Sequence, residues 1–158
     1  MTATQEPPRP GPMHVLSPHL VCAGAAAAID FYKAAFGAEL LFRLDGPDGK
    51  VMHASLLLNG SSVMLTDERL DCGASSPKTL GGTPVTVHLF VPDADAAIAR
   101  AAAAGATVIM PAADMFWGDR YGVIDDPFGH RWSIATHQRD MTHNEIVTEM
   151  NRFISQPR

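Results

Sequence analysis

At 158 residues, 46% apolar and 18% charged, the chain has enough apolar content for one domain or two small modules around a shared core, which excludes a wholly disordered protein. Twelve basic against seventeen acidic residues give a net charge of −5 and a pI near 5.7, which argues against nucleic acid or an anionic membrane surface as partner. No apolar run approaches the roughly 20 residues of a bilayer span, and MTATQEPPRPGP lacks the apolar stretch of a secretory leader, so a cytoplasmic protein is expected.

Taken in chain order, residues 1–13 are proline-rich and read as a disordered lead-in. Val15 to Ala23 reads as a strand, and Cys22 within it as a small core residue; Cys22 and Cys72 have neither metal-ligand nor redox spacing. A helix follows over Ala25 to Phe36, with Ile29, Tyr32, Ala35 and Phe36 on one face and Gly37 at its stop. Strands are predicted at Leu40–Leu44, Val51–Leu58 and Ser62–Thr66, separated by the turn Gly46-Pro47-Asp48-Gly49 and the hairpin signal Asn59-Gly60. Residues 67–83, polar and rich in Gly and Ser, read as a linker loop.

The pattern then restarts. Val85–Val91 is a strand, Asp93 or Asp95 caps a helix reaching Ala104, and Gly105 stops it. Further strands are expected at Thr107–Met110, Arg120–Ile124 and His130–Thr136, with PAADMFWGD as a loop and Asp126-Pro127-Phe128-Gly129 as a turn. In the tail, 139–158, Thr142 and Glu145 fit a capping box, and Ile146, Val147, Met150, Phe153 and Ile154 form an apolar stripe that must cover something.

His19 and His88 are 69 residues apart, Ile29 and Ile98 are also 69 apart, and Gly37 and Gly105 are 68 apart. Residues 14–66 and 84–138 therefore read as two βαβββ modules. The fold class expected is α+β, a curved mixed sheet cup with helices outside.

The stretches AAIDFYKAAFGAEL, GKVMHASLLLNGSSVMLTDE, TPVTVHLFV and FWGDRYGVIDDPFGHRWSIATH resemble the vicinal-oxygen-chelate superfamily of glyoxalases, bleomycin-resistance proteins and extradiol dioxygenases. The nearest branch is the PhnB-like, glyoxalase-like one, and the likeness spans about residues 14 to 140. It implies paired βαβββ modules, a homodimer and a ligand site in the sheet cup. Many of these proteins hold a divalent metal with His and Glu. Carried onto this chain, the four ligand positions fall at Ser17, Ser55, Thr86 and Ser133, with no carboxylate among them. Neutral hydroxyls are poor ligands for such an ion, so the usual centre is not expected, and the cofactor stays open between none and a divalent metal.

Strand alternation puts His19 on one face with Ser17, His53 with Ser55, and His88 with Thr86. His53 and His88 are the candidates for proton transfer, and Ser55 and Ser133 for ligand contact. In MFWGDRYG, Trp117, Arg120 and Tyr121 form a set suited to stacking on a flat ligand and holding its carboxylate or phosphate; the alternative is that Asp119 pairs with Arg120 across a turn. Trp132 and Phe128 read as core. The function expected is capture or conversion of a small organic metabolite or drug in the cup without the usual metal centre. The alternative is a metal-dependent lyase, isomerase or dioxygenase that uses a displaced set, His19, His53 and His88.

Overall fold

The computed structural model of the chain describes residues 7–156. The first half runs β1 (His19–Cys22), α1 (Ala25–Phe36), β2 (Glu39–Asp45), β3 (Val51–Leu58) and β4 (Ser61–Asp67). The second runs β5 (Thr86–Phe90), α3 (Ala94–Ala103), β6 (Thr107–Asp114), β7 (Asp119–Asp125) and β8 (Arg131–His137). Between them lies the one-turn α2 (Pro77–Leu80), and after them α4 (His143–Ile154). The strands form two four-stranded mixed sheets, ordered β1-β4-β3-β2 and β5-β8-β7-β6, with β1 parallel to β4 and β5 parallel to β8. The two βαβββ modules are thus as expected, and the fold is α+β.

The chain ends its helices where the glycines fall. Gly37 sits at φ 67°, ψ 32° past α1, and its N–H returns to the Lys33 carbonyl. Asn59 and Gly60, both at positive φ, close the β3–β4 hairpin. Asp93 caps α3 through the Ala96 N–H, and Thr142 and Glu145 form the expected reciprocal capping box on α4. The N-terminus of α1 has no cap of its own. The carboxylate of Asp67, at the end of β4, accepts from Gly24 and Ala25 N–H with one oxygen and from Val51 N–H with the other.

The core lies between each sheet and its helix. Ala54, Leu56 and Leu58 of β3 and Leu65 of β4 are closed off against α1, and Ile124, Trp132 and Ile134 occupy the corresponding side of the second sheet. Tyr32, Phe36 and Trp132 pack with ring centroids 5.2–6.3 Å apart, so residues of both halves share one aromatic cluster. At its centre Asp126, 5% exposed, accepts the Tyr32 hydroxyl (2.5 Å) and Trp132 Nε1–H (3.0 Å) on one oxygen, and the Phe128 and His130 N–H groups on the other. His130 Nε2 meets the Val21 carbonyl at 2.9 Å. Burial, followed by the charges of Asp126 and Asp67, pushes the Cys22 thiol far up, which keeps it an inert core group. Phe128 and Trp132 are core, as expected.

Three expectations are corrected. The first strand begins at His19 and not at Val15, because residues 14–17 leave the β4 edge as an irregular arm. The 67–83 segment is more than a linker: it holds the bridge Arg69–Ala74, a 3-10 turn at Leu70–Cys72, and α2, capped by Ser76. β6 runs on through Pro111 to Asp114, tolerated because β6 is an edge strand with register shifts at that point. Of the lead-in, residues 1–6 lie outside the described residues, whereas residues 9–13 lie against the first sheet. No helix among the described residues is long and apolar enough to cross a membrane.

Candidate ligand site

Direct cross-strand partners share a face, so the ladders show which side chains gather on the sheet faces turned away from α1 and α3. On the first sheet, His19 stands opposite Met64, Met64 opposite Ser55, and Ser55 opposite Phe42. His53 stands opposite Leu44 on the same face. His53 Nε2 and Ser55 Oγ are 3.0 Å apart, and the His53 ring is flanked by His19 at 6.0 Å and Phe42 at 6.1 Å between centroids. Above this face is a cavity of about 730 Å³. Its floor is His53, Ser55, Met64 and Phe42, and its other wall is the arm, residues 9–17. Burial, and then the nearby His53, lower the affinity of His19 for a proton.

On the second sheet, His88 stands opposite Ser133, with Nδ1 and Oγ 2.6 Å apart. Tyr121 stacks on His88 at 6.1 Å and Trp117 meets Tyr121 edge-on at 5.5 Å. His88, Ser133, Tyr121 and Trp117 thus form a second cluster, apart from the cavity over the first sheet. A groove of about 920 Å³ runs along the facing edges β1 and β5, lined by both His19 and His88.

The structure therefore brings together His53, Ser55 and His19 in one place, and His88, Ser133, Tyr121 and Trp117 in another. Each serine at an acidic ligand position of the resembled family holds an imidazole. The alternative pairing of Asp119 with Arg120 does not form. Arg120 reaches from β7 to Asp95 on α3 and to Asp114 on β6, so its guanidinium is taken up by two carboxylates. Asp119 accepts from Trp117 Nε1–H (3.0 Å) and faces His137 Nδ1 (2.7 Å), and Asp140 faces the other nitrogen of that ring. Arg131 pairs with Asp125, at the rim.

Sequence reasoning missed Phe42, Met64 and the arm as cavity walls. Cross-strand alternation from Ser55 would have found the first two had the register been known. The arm carries no periodic signal. Among the described residues, no three His, Cys, Asp or Glu side chains are placed to hold a metal ion. His19, His53 and His88 do not converge. The hydroxyls at Ser17, Ser55, Thr86 and Ser133 do not suit a His/Glu divalent centre.

The two imidazoles His19 and His137 are displaced in opposite senses. Hydrogen bonds to Asp119 and then Asp140 raise the pKa of His137 above the usual 6.5, whereas burial lowers that of His19. The stabilisation from His137 is therefore complete below the unfolded imidazole pKa and fades as pH rises through the raised value. For His19 the folded state prefers the neutral ring, so stability is lost as pH falls through and below its ordinary value. An imidazole-resolved NMR titration is expected to place His137 above, and His19 below, an unfolded-state reference. Asp119→Asn brings the first back towards it and leaves the second alone.

A model of the Glyoxalase/Bleomycin resistance protein/Dioxygenase superfamily matches residues 12–134. An uncharacterized protein of Mycobacterium tuberculosis (strain H37Rv) is 54% identical over 139 residues, 86% of this chain and 82% of that one. The crystal structure of TioX from Micromonospora sp. ML1 superposes with a TM-score of 0.62 at 30% identity, over 77% of this chain and 97% of TioX. A PhnB protein from Bacillus cereus shares the fold at 18% identity, with a TM-score of 0.59 over 77% of this chain and 98% of that one. With its paired βαβββ sheets and a match over most of its length, the chain belongs to the Glyoxalase/Bleomycin resistance protein/Dioxygenase superfamily.

Proposed function

We propose that the protein captures a small, mostly apolar organic molecule in the cavity over the first sheet, and that it does so without a His/Glu metal centre. One observation carries this reading: a space of about 730 Å³, walled by Leu41, Phe42, Met64, Pro12 and Met13, with the His53–Ser55 pair as its polar feature on the floor. That volume suits a drug-sized ligand, and apolar walls with few convergent polar groups are the usual make-up of such sites. The reading agrees with a family that includes bleomycin resistance proteins. A homodimer is part of the proposal, because Phe42, Phe90 and Ile109 leave large apolar surface on the sheets.

The test is a thermal-shift screen of metabolites and antibiotics on the wild type and on His53→Ala. A ligand present at about a hundredfold its Kd should add about 2.7 kcal/mol to the wild type. His53→Ala should weaken its affinity about tenfold. Silence across a broad library would sink the proposal. A second reading, proton transfer by His53 or His88, rests on the serine contact that orients each ring. It is separated from plain binding by turnover that disappears in the matching alanine variant. Stoichiometric metal in tag-free protein, lost in His53→Ala or His88→Ala, would instead favour a displaced His set.

A further inference from the structure

Among the described residues, the arm that walls the cavity is hydrogen-bonded to the first sheet at Ser62. The outer edge of β4 gives its Met64 N–H to the Pro18 carbonyl at 2.8 Å, as a parallel ladder requires. Two residues earlier, the chain opposite has turned away and no carbonyl takes the Ser62 N–H. The imidazole of His14 fills that place: Ser62 N–H donates to His14 Nδ1 at 3.2 Å. In return the backbone N–H of His14 donates to Ser62 Oγ at 2.8 Å, His14 Nδ1 also lies 3.2 Å from that oxygen, and Ser17 Oγ bonds to it as well. Ser62 is only 2% exposed, so its N–H has little recourse to water if the imidazole leaves.

A backbone N–H is always a donor, and Nδ1 can accept only while it carries a lone pair. The Ser62 N–H contact therefore requires a neutral His14 with its proton on Nε2; with the proton on Nδ1 the ring would donate to Ser62 Oγ instead. An imidazolium has donors on both nitrogens and opposes Ser62 N–H. Among the described residues that line the adjoining cavities, none offsets that charge. The charged and titratable groups that line the two cavities bordered by His14 are Arg9 of the arm, His19 on β1, His53 on β3, His88 on β5 and His130 ahead of β8, and no carboxylate among the described residues lines either.

We propose that residues 9–17 are the outer wall of the ligand cavity, and that neutral His14, bound to Ser62, is the latch that holds the wall in place. The wall half rests on the function proposed above; the latch half does not. Beside Arg9, His14 and Ser17, the arm contributes Pro10, Pro12, Met13, Val15 and Leu16 to the cavity, so most of this wall presents apolar surface opposite the His53–Ser55 pair. Protonation of His14 removes the Ser62 N–H contact and loosens the arm, leaving it tethered by the backbone N–H of His14 and by Ser17.

Three measurements on the full chain test this. Long-range nitrogen–proton NMR at neutral pH should find His14 as the Nε2–H tautomer; an Nδ1–H tautomer overturns the latch. Hydrogen exchange of the Ser62 amide, corrected for its intrinsic rate, should quicken at least about tenfold in His14→Ala, and likewise in the wild type between about pH 7.5 and about pH 5. His14→Asn, whose side-chain oxygen stands close to Nδ1 and accepts at any pH, should keep the amide protected at both. Unchanged Ser62 exchange in a folded His14→Ala protein overturns the latch as well. The third measurement is the release rate of the uncharged apolar dye N-phenyl-1-naphthylamine, which should rise with Ser62 exchange in His14→Ala and stay slow in His14→Asn. Dye release indifferent to His14, while Ser62 responds, overturns the wall. Dye that binds no folded form defeats the ligand reading and the wall together, and the amide data then decide the latch alone.

Discussion

Asp126→Ala is expected to remove about 4 kcal/mol of stability, enough to leave a marginal domain largely unfolded at physiological temperature. The carboxylate accepts four donors in a site closed to water: the Tyr32 hydroxyl, Trp132 Nε1–H and two backbone N–H groups. Truncation strands them all, and stranding buried donors costs more than the lost bonds themselves were contributing. Two donors return the chain to its own turn; the Tyr32 bond comes from the other half of the sequence, so the loss falls on the joint between halves. Asp126→Asn keeps an acceptor for the two backbone groups, turns an amide towards Trp132 Nε1–H, and should cost about half as much. The measurement is urea unfolding at equilibrium, with a lowered midpoint and an unchanged slope. A loss below about 1 kcal/mol for the alanine variant would show that water or rearranged neighbours replace the carboxylate.

Gly122→Val is the second large loss expected, about 3 kcal/mol or more. Gly122 stands in β7 opposite Ile134, on the side of the sheet covered by α3. A Cβ there would lie 2.4 Å from Ile98 Cδ1, 2.9 Å from the Met110 carbonyl oxygen and 3.0 Å from Ala112 N. The first of these can swing aside; the other two are backbone of the neighbouring strand and cannot. A double-mutant cycle with Ile98→Ala separates them: shortening Ile98 should recover only part of the loss, since the β6 backbone still blocks the added carbon. Full recovery in the double variant would mean that the helix, and not the sheet, sets the limit.

Much of the fold could be read from the sequence, because it rests on local signals. The glycine stops at Gly37 and Gly105, the Asn59-Gly60 hairpin and the Thr142–Glu145 box are each decided within four residues, and each stands where it was expected. The 69-residue spacing made the duplication visible. The candidate site was less legible because its parts meet through sheet register and long-range contact. His53 with Ser55 follows from alternation within one strand. His88 with Ser133 depends on how β5 pairs with β8. Arg120 was misjudged because its partner Asp95 lies 25 residues earlier, on a helix whose packing angle no sequence pattern announces. Residues 9–13 were set aside on their prolines and Val15–Ser17 were expected in the first strand, and neither signal could reveal that one imidazole docks the arm.

The aromatic cluster binds the evolutionary history of the chain to its mechanics. A duplicated sequence suggests two interchangeable parts, yet Tyr32 and Phe36 from the first copy close over Trp132 from the second, and His130 of the second caps a carbonyl of the first. Neither copy retains a complete interior of its own. The two halves therefore share one interior, and a cavity opened in either is felt in the other.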